Sequence, residues 1–109
     1  MQLLTKEIEA RFKEVGSQDL LKDPIVIAKF FNPAGAGTWY ATEYIPSEEN
    51  FFGYVSIFQD YCDEWGYFSL KELQNFKGSF GLGIDRDIHC GEKPISEFKI
   101  PTLQTNLSV

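Results

Sequence analysis

A chain of 109 residues has room for one domain built on a single core. With 43% hydrophobic and 24% charged residues it reads as a soluble globular protein, and no apolar run is long enough to cross a bilayer. Its net charge of −6 is unevenly placed, with acids and no Lys or Arg through the middle of the chain, and such a surface repels phosphate backbones and argues against direct binding of DNA or RNA.

The chain opens with Thr5 placed to cap a helix in which Leu4, Ile8, Phe12 and Val15 recur at helical spacing, and Gly16 suits its C-terminal stop. No long apolar stretch of the secretion type stands in these residues, so the expected location is the cytoplasm of the host cell, where Cys62 and Cys90 remain reduced. Ser17 to Asp23 is polar and linking. Pro24 then opens Ile25 to Phe31, β-branched and apolar on both faces, which predicts a central strand. Asn32 to Gly37 is dense in turn formers, and Thr38 to Tyr44 returns as a second strand of an antiparallel hairpin.

After the turn at Ile45 to Asn50, Phe51 to Phe58 predicts a third strand, with Gly53 marking a bulge. Gln59 to Trp65 reads as an irregular acidic loop. Ser69-Leu70-Lys71-Glu72 is a capping box, with Phe68 and Leu73 as its hydrophobic staple, so a short helix runs through Phe76. The glycine-rich Lys77 to Gly83 lacks the strand before and helix after of a phosphate-binding loop and reads as a connection. Ile84 to Cys90 predicts a fourth strand, and Ile95 to Phe98 a single helical turn. The expected whole is one α+β domain over residues 1–98, a mostly antiparallel meander with the N-terminal helix and the short capped helix packed on it. Residues 99–109 form a flexible tail.

Two stretches hold candidate functional residues. In Ile84 to Cys90, strand alternation places Asp85, Asp87 and His89 on one face and Ile84, Arg86, Ile88 and Cys90 on the other, with the Cys90 thiol next to His89 in sequence. These types suit a divalent metal, with zinc the expected ion. They equally suit a solvated strand with a buried back. The second stretch is the middle of the chain. Between Lys29 and Lys71 there is no basic residue, while Glu43, Glu48, Glu49, Asp60, Asp63 and Glu64 supply six acids. Thirteen of the seventeen aromatic residues, Trp65 among them, fall in the same window. An inward-facing aromatic core with acids outside explains most of this pattern; an acidic docking surface with aromatic anchors explains it as well.

The order of motifs resembles a family of unknown function found in small proteins of phages, plasmids and conjugative elements. The resemblance rests on Leu3-Leu4-Thr5, Asp23-Pro24, Lys29-Phe30-Phe31 with Pro33, and Thr38-Trp39 with Thr42-Glu43. It continues through Phe52-Gly53, Gly66-Tyr67 with Ser69-Leu70 and Glu72-Leu73, and Gly81-Leu82 with Ile84, Arg86-Asp87 and His89, ending near Pro94 and Ser96. Cys90 stands where the family usually has an aromatic residue. The resemblance implies a mobile-element protein and adds weight to Glu43, Arg86, Asp87 and His89, the polar members of the signature. A metal site would then draw on His89, Asp87, Glu43 and Cys90.

The leading expectation is a protein that inhibits a host nucleic-acid-handling defence machine by protein–protein contact, as an anti-CRISPR or anti-restriction factor does. It would present Glu48, Glu49, Asp60, Asp63, Glu64 and Trp65 to a basic surface of a CRISPR effector or other defence nuclease. The alternative is a small zinc-dependent hydrolase or modifying enzyme centred on Asp87 and His89.

Overall fold

The computed structural model describes residues 2–57 and 63–103. Its first helix, α1, spans Lys6–Val15 and starts where expected: the Thr5 hydroxyl accepts the Ile8 backbone N–H at 3.1 Å. Gly16 ends it at φ 69°, a left-handed setting that a side chain disfavours. Among the described residues, seven strands follow: β1 (Ile25–Val26), β2 (Ala28–Phe31), β3 (Thr38–Ile45), β4 (Asn50–Ser56), β5 (Glu64–Ser69), β6 (Asp85–Arg86) and β7 (Lys93–Pro94). The second helix, α2, spans Leu70–Asn75, and the Ser69 hydroxyl accepts the Glu72 N–H at 3.2 Å, as the capping box requires.

Five strands form one antiparallel sheet in the order β5-β4-β3-β2-β6, and β1 pairs with β7 in a small separate ribbon. The three central strands are consecutive antiparallel neighbours, as hydrophobic patterning and turn chemistry predict. The predicted strand at 25–31 is divided, since Ile27 belongs to neither β1 nor β2. The division lets Val26 serve the ribbon and Ala28 the sheet.

The predicted bulge is real but sits across from Gly53. The register of β3 against β4 slips between Ala41 and Glu43, leaving Thr42 as the extra residue. The Thr42 hydroxyl donates to the Phe52 carbonyl at 3.2 Å.

Both sheet faces are covered, for different reasons. On one, α1 and α2 bring Phe12, Leu70 and Leu73 against Phe30, Phe51 and Phe68. On the other, a 3-10 turn at Ile95–Phe98 and the residues after it bury Ile95, Ile100 and Leu103 against Val26, Tyr40 and Tyr54. The packed chain therefore continues past the expected boundary at residue 98, and 99–103 are part of the fold: Leu103 is 0% exposed. Their isolated apolar residues have no readable period, yet Ile100 and Leu103 drop into the second core. The rest of the predicted tail, 104–109, lies outside the described residues. Among the described residues, no helix is long and apolar enough to cross a membrane.

Candidate functional site: an aromatic face with an acidic rim

The predicted strand at 84–90 stops early. Only Asp85 and Arg86 pair with β2, and the chain then turns: the Asp87 carboxylate accepts the His89 backbone N–H at 3.0 Å, and the Cys90 N–H reaches the Asp87 carbonyl at 3.3 Å. The turn breaks the alternation on which a common face for Asp85, Asp87 and His89 depended. Asp87 also lies 3.7 Å from the Lys29 ammonium, so both its oxygens are engaged. Arg86 donates to the carbonyls of Gln2 and Leu3, tying β6 to the residues before α1. His89 is exposed, and burial pushes the Cys90 thiol pKa up, with the Asp87 charge adding to it against Lys29 and Lys93.

Glu43 sits elsewhere. It belongs to β3, and β2 stands between β3 and the β6 end that carries Asp87. Its carboxylate accepts the Gln18 N–H at 3.2 Å. Among the described residues, no three His, Cys, Asp or Glu side chains come together in a way that could hold a metal ion. Cys62 and Asp60 lie outside the described residues.

Gln18 is the residue that sequence reasoning missed. It is buried in a stretch that reads as a linker, and its side-chain amide donates to the carbonyls of Ile25 (2.9 Å) and Thr42 (2.8 Å) while accepting the Ile25 N–H (2.7 Å). One glutamine thus satisfies the backbone where the β3 bulge and the start of β1 would otherwise leave polar groups unpaired. Only the coincidence of a bulge and a strand break makes it necessary, and neither is visible in local composition.

Burial raises the Glu43 pKa above the ordinary carboxylate range; the Gln18 N–H pulls it back, and a hydrogen bond with the Asp19 carboxyl and its charge push it up further. The folded state therefore holds this proton more tightly than the unfolded chain does, so stability falls as pH rises through the raised value. Glu43→Gln keeps an oxygen for Gln18 and removes the charge. It should raise the urea midpoint at pH 7, with the gain over the parent shrinking as pH drops through the unfolded carboxylate range near about 4. A midpoint difference that is the same at pH 7 and pH 3.5 would show that the Glu43 charge is not responsible.

The acidic window separates into distinct places. Asp63 is buried: its Oδ2 accepts the hydroxyls of Ser56 at 2.7 Å and Thr102 at 2.9 Å, and Tyr54 donates to Thr102 at 2.9 Å. This chain of hydroxyls fastens the C-terminal turn to β4, and Asp63 is consumed by it rather than offered to a partner. Glu48 and Glu49 occupy the turn between β3 and β4, with Glu49 3.7 Å from Lys71. The Leu70 N–H donates to the Glu49 carbonyl, placing that turn beside the Ser69 end of β5. Glu64 is exposed at the other end of β5.

Between these acids lies an aromatic surface. Cross-strand pairing sets Tyr54 opposite Trp65 and Phe52 opposite Tyr67, so the four rings share a sheet face. Phe52 lies near-parallel to Trp65 at 6.1 Å and edge-on to Tyr67 at 5.0 Å. Tyr54 is fully buried beneath Trp65, whereas Tyr67 is 68% exposed. The C-terminal turn covers this face over Tyr40 and Tyr54, Trp65 packs at the margin of that second core, and Tyr67 further along β5 stays exposed among the described residues. Phe52 and Trp65 also line a cavity of about 290 Å³ together with Leu21, Lys22, Pro24, Asp19 and Glu43. A larger cavity of about 670 Å³ between α1 and β3 mixes Lys6 and Lys13 with Glu9 and Glu43 and so favours neither sign of charge.

The sequence matches the family described as "Protein of unknown function (DUF2958)" over residues 3–104. The chain belongs to that family. No curated protein and no solved structure matches it. The DUF2958 match takes in the docked segment 99–103, in keeping with its burial. Several polar residues of the motifs quoted above have structural work in this DUF2958 chain. Thr5 caps α1, Arg86 holds the Leu3 carbonyl, and Asp23 accepts both the backbone N–H (3.0 Å) and hydroxyl (2.6 Å) of Ser96.

Proposed function

We propose that this DUF2958 protein works by protein–protein contact, seating the Phe52, Trp65 and Tyr67 face on a basic surface of another protein. The specific form of this reading is a mobile-element protein whose target is a host defence nuclease, a CRISPR effector or restriction enzyme, blocked where its cationic groove would receive nucleic acid. The mobile-element setting comes from the motif resemblance. The observation that supports contact is the exposure of Tyr67, set edge-on to Phe52 with Trp65 stacked against the same Phe52, with Glu64 at one end of the patch and Glu48 and Glu49 at the other. Large rings at the centre and charges at the rim are the anatomy of a protein interface, in which anchors set lifetime and rim charges set encounter.

Affinity purification from host extract, followed by rate measurements on the retained partner, tests it. Glu48→Lys with Glu49→Lys should slow association by roughly tenfold at low salt, with the effect fading as salt rises. Tyr67→Ala should instead speed dissociation by about 30-fold, the loss of one anchor worth about 2 kcal/mol. Association indifferent to salt and to both lysines would reduce the acids to solubilising surface.

A further inference from the structure

The five-stranded sheet has two edges, and they are unlike. At one, β6 contributes only Asp85 and Arg86, with Arg86 held against the carbonyls of Gln2 and Leu3. At the other, β5 runs six residues, and among the described residues no strand lies beyond it. In an antiparallel ladder, alternate residues of an edge strand point their N–H and C=O groups away from the sheet. Edge strands are commonly guarded by lysine, proline, a bulge or extreme shortness. Glu64-Trp65-Gly66-Tyr67-Phe68-Ser69 has no lysine and no proline, and its register against β4 is unbroken. A Cβ built on Gly66 meets nothing within 4 Å.

We infer that the outer edge of β5 takes an extended, lysine- or arginine-bearing segment of the partner as a sixth strand. Charge selects this occupant. Two copies of β5 paired in parallel would set Glu64 beside Glu64; paired antiparallel, they would bring each Glu64 to the end where Glu48 and Glu49 of the other copy lie, with Lys71 offsetting only part of that charge. Like charges across a strand pair are destabilising, so a second copy is disfavoured and a basic strand is favoured. Alternate side chains of such a strand would flank Trp65 and Tyr67, where a cation gains from the ring faces. The inference rests on the contact reading above and gives it a binding mode, main-chain pairing with charge selection.

The probe is a synthetic nine-residue peptide alternating lysine and valine, added to the full chain while amide exchange is followed residue by residue. In the free protein, alternate amides of 64–69 should exchange fast. With peptide at ten times its Kd, those amides should slow about tenfold while amides at the β6 edge do not change. Glu64→Lys, a substitution at an exposed position, should weaken the peptide by roughly two- to fivefold. A version with proline in place of the central valine keeps the charge and cannot complete the ladder, so it should give no β5 protection. Equal binding of the proline peptide, equal binding of a glutamate–valine peptide, or full β5 protection before peptide is added would each overturn strand addition. So would concentration-dependent dimerisation through β5. None of these results bears on whether Tyr67 and Glu48 control partner kinetics, so the two readings fail separately.

Discussion

Phe51→Ala should lower the unfolding free energy by about 3–5 kcal/mol, enough to leave a domain of this size marginal at best. Phe51 is 0% exposed and is the hub of the helix-covered core: its ring lies 5.8 Å from Phe12, 5.1 Å from Phe30, 5.0 Å from Tyr44 and 5.4 Å from Phe68. These neighbours come from α1, β2, β3 and β5, so the cavity left by alanine borders a helix and three strands of one hydrogen-bonded sheet and cannot collapse from one side. Aromatic geometry adds to the loss beyond area alone. Urea unfolding followed by circular dichroism gives the number. A loss below about 1 kcal/mol with an unchanged denaturant slope would mean that the core repacks freely, contrary to the four-sided arrangement.

Gly53→Ala should cost at least about 3 kcal/mol, the upper range for forcing extra atoms into a packed site. A Cβ on Gly53 would stand 1.8 Å from the Tyr40 carbonyl oxygen, inside any tolerable contact. The obstacle is backbone, and it cannot step aside easily, because the next residue, Ala41, accepts the Ile27 N–H at 2.9 Å on the far side of β3. Gly53 has no left-handed φ, so the requirement comes from the bulge pressing β3 onto β4 and not from backbone conformation. Gly66, the residue paired with it on β5, is the control. With nothing near its Cβ, Gly66→Ala should be neutral or stabilise by about 0.4–1 kcal/mol through the unfolded chain. Similar losses at both positions in urea melts would count against the close approach as the cause.

The surface of β5 was legible only in part. Its aromatic and acidic composition shows in the sequence, but Glu64 and Trp65 read there as the end of an irregular loop because Gln59 to Glu64 contains no alternation that marks where pairing begins. The structure starts β5 at Glu64 and so places Trp65 opposite Tyr54 and Tyr67 opposite Phe52. Asp63 and Glu64 are adjacent acids with no local difference, yet one is buried under Ser56 and Thr102 and the other is solvent-facing. A carboxylate can be buried only where donors converge, and those donors come from β4 and from a segment 39 residues further along the chain.

Local chemistry in the sequence determined the two caps, Thr5 and Ser69, the turns, and the antiparallel succession of the central strands. Each of these depends on residues within a few positions of one another, where side chain and backbone meet regardless of the rest of the chain. Tertiary structure alone decided the burial of Gln18, the docking of Ile100 and Leu103, the glycine at 53 and the separation of Glu43 from Asp87 and His89. Those outcomes depend on which strand lies beside which. The interposition of β2 between β3 and β6 sets the last of them, and sequence order carries no distance across a sheet.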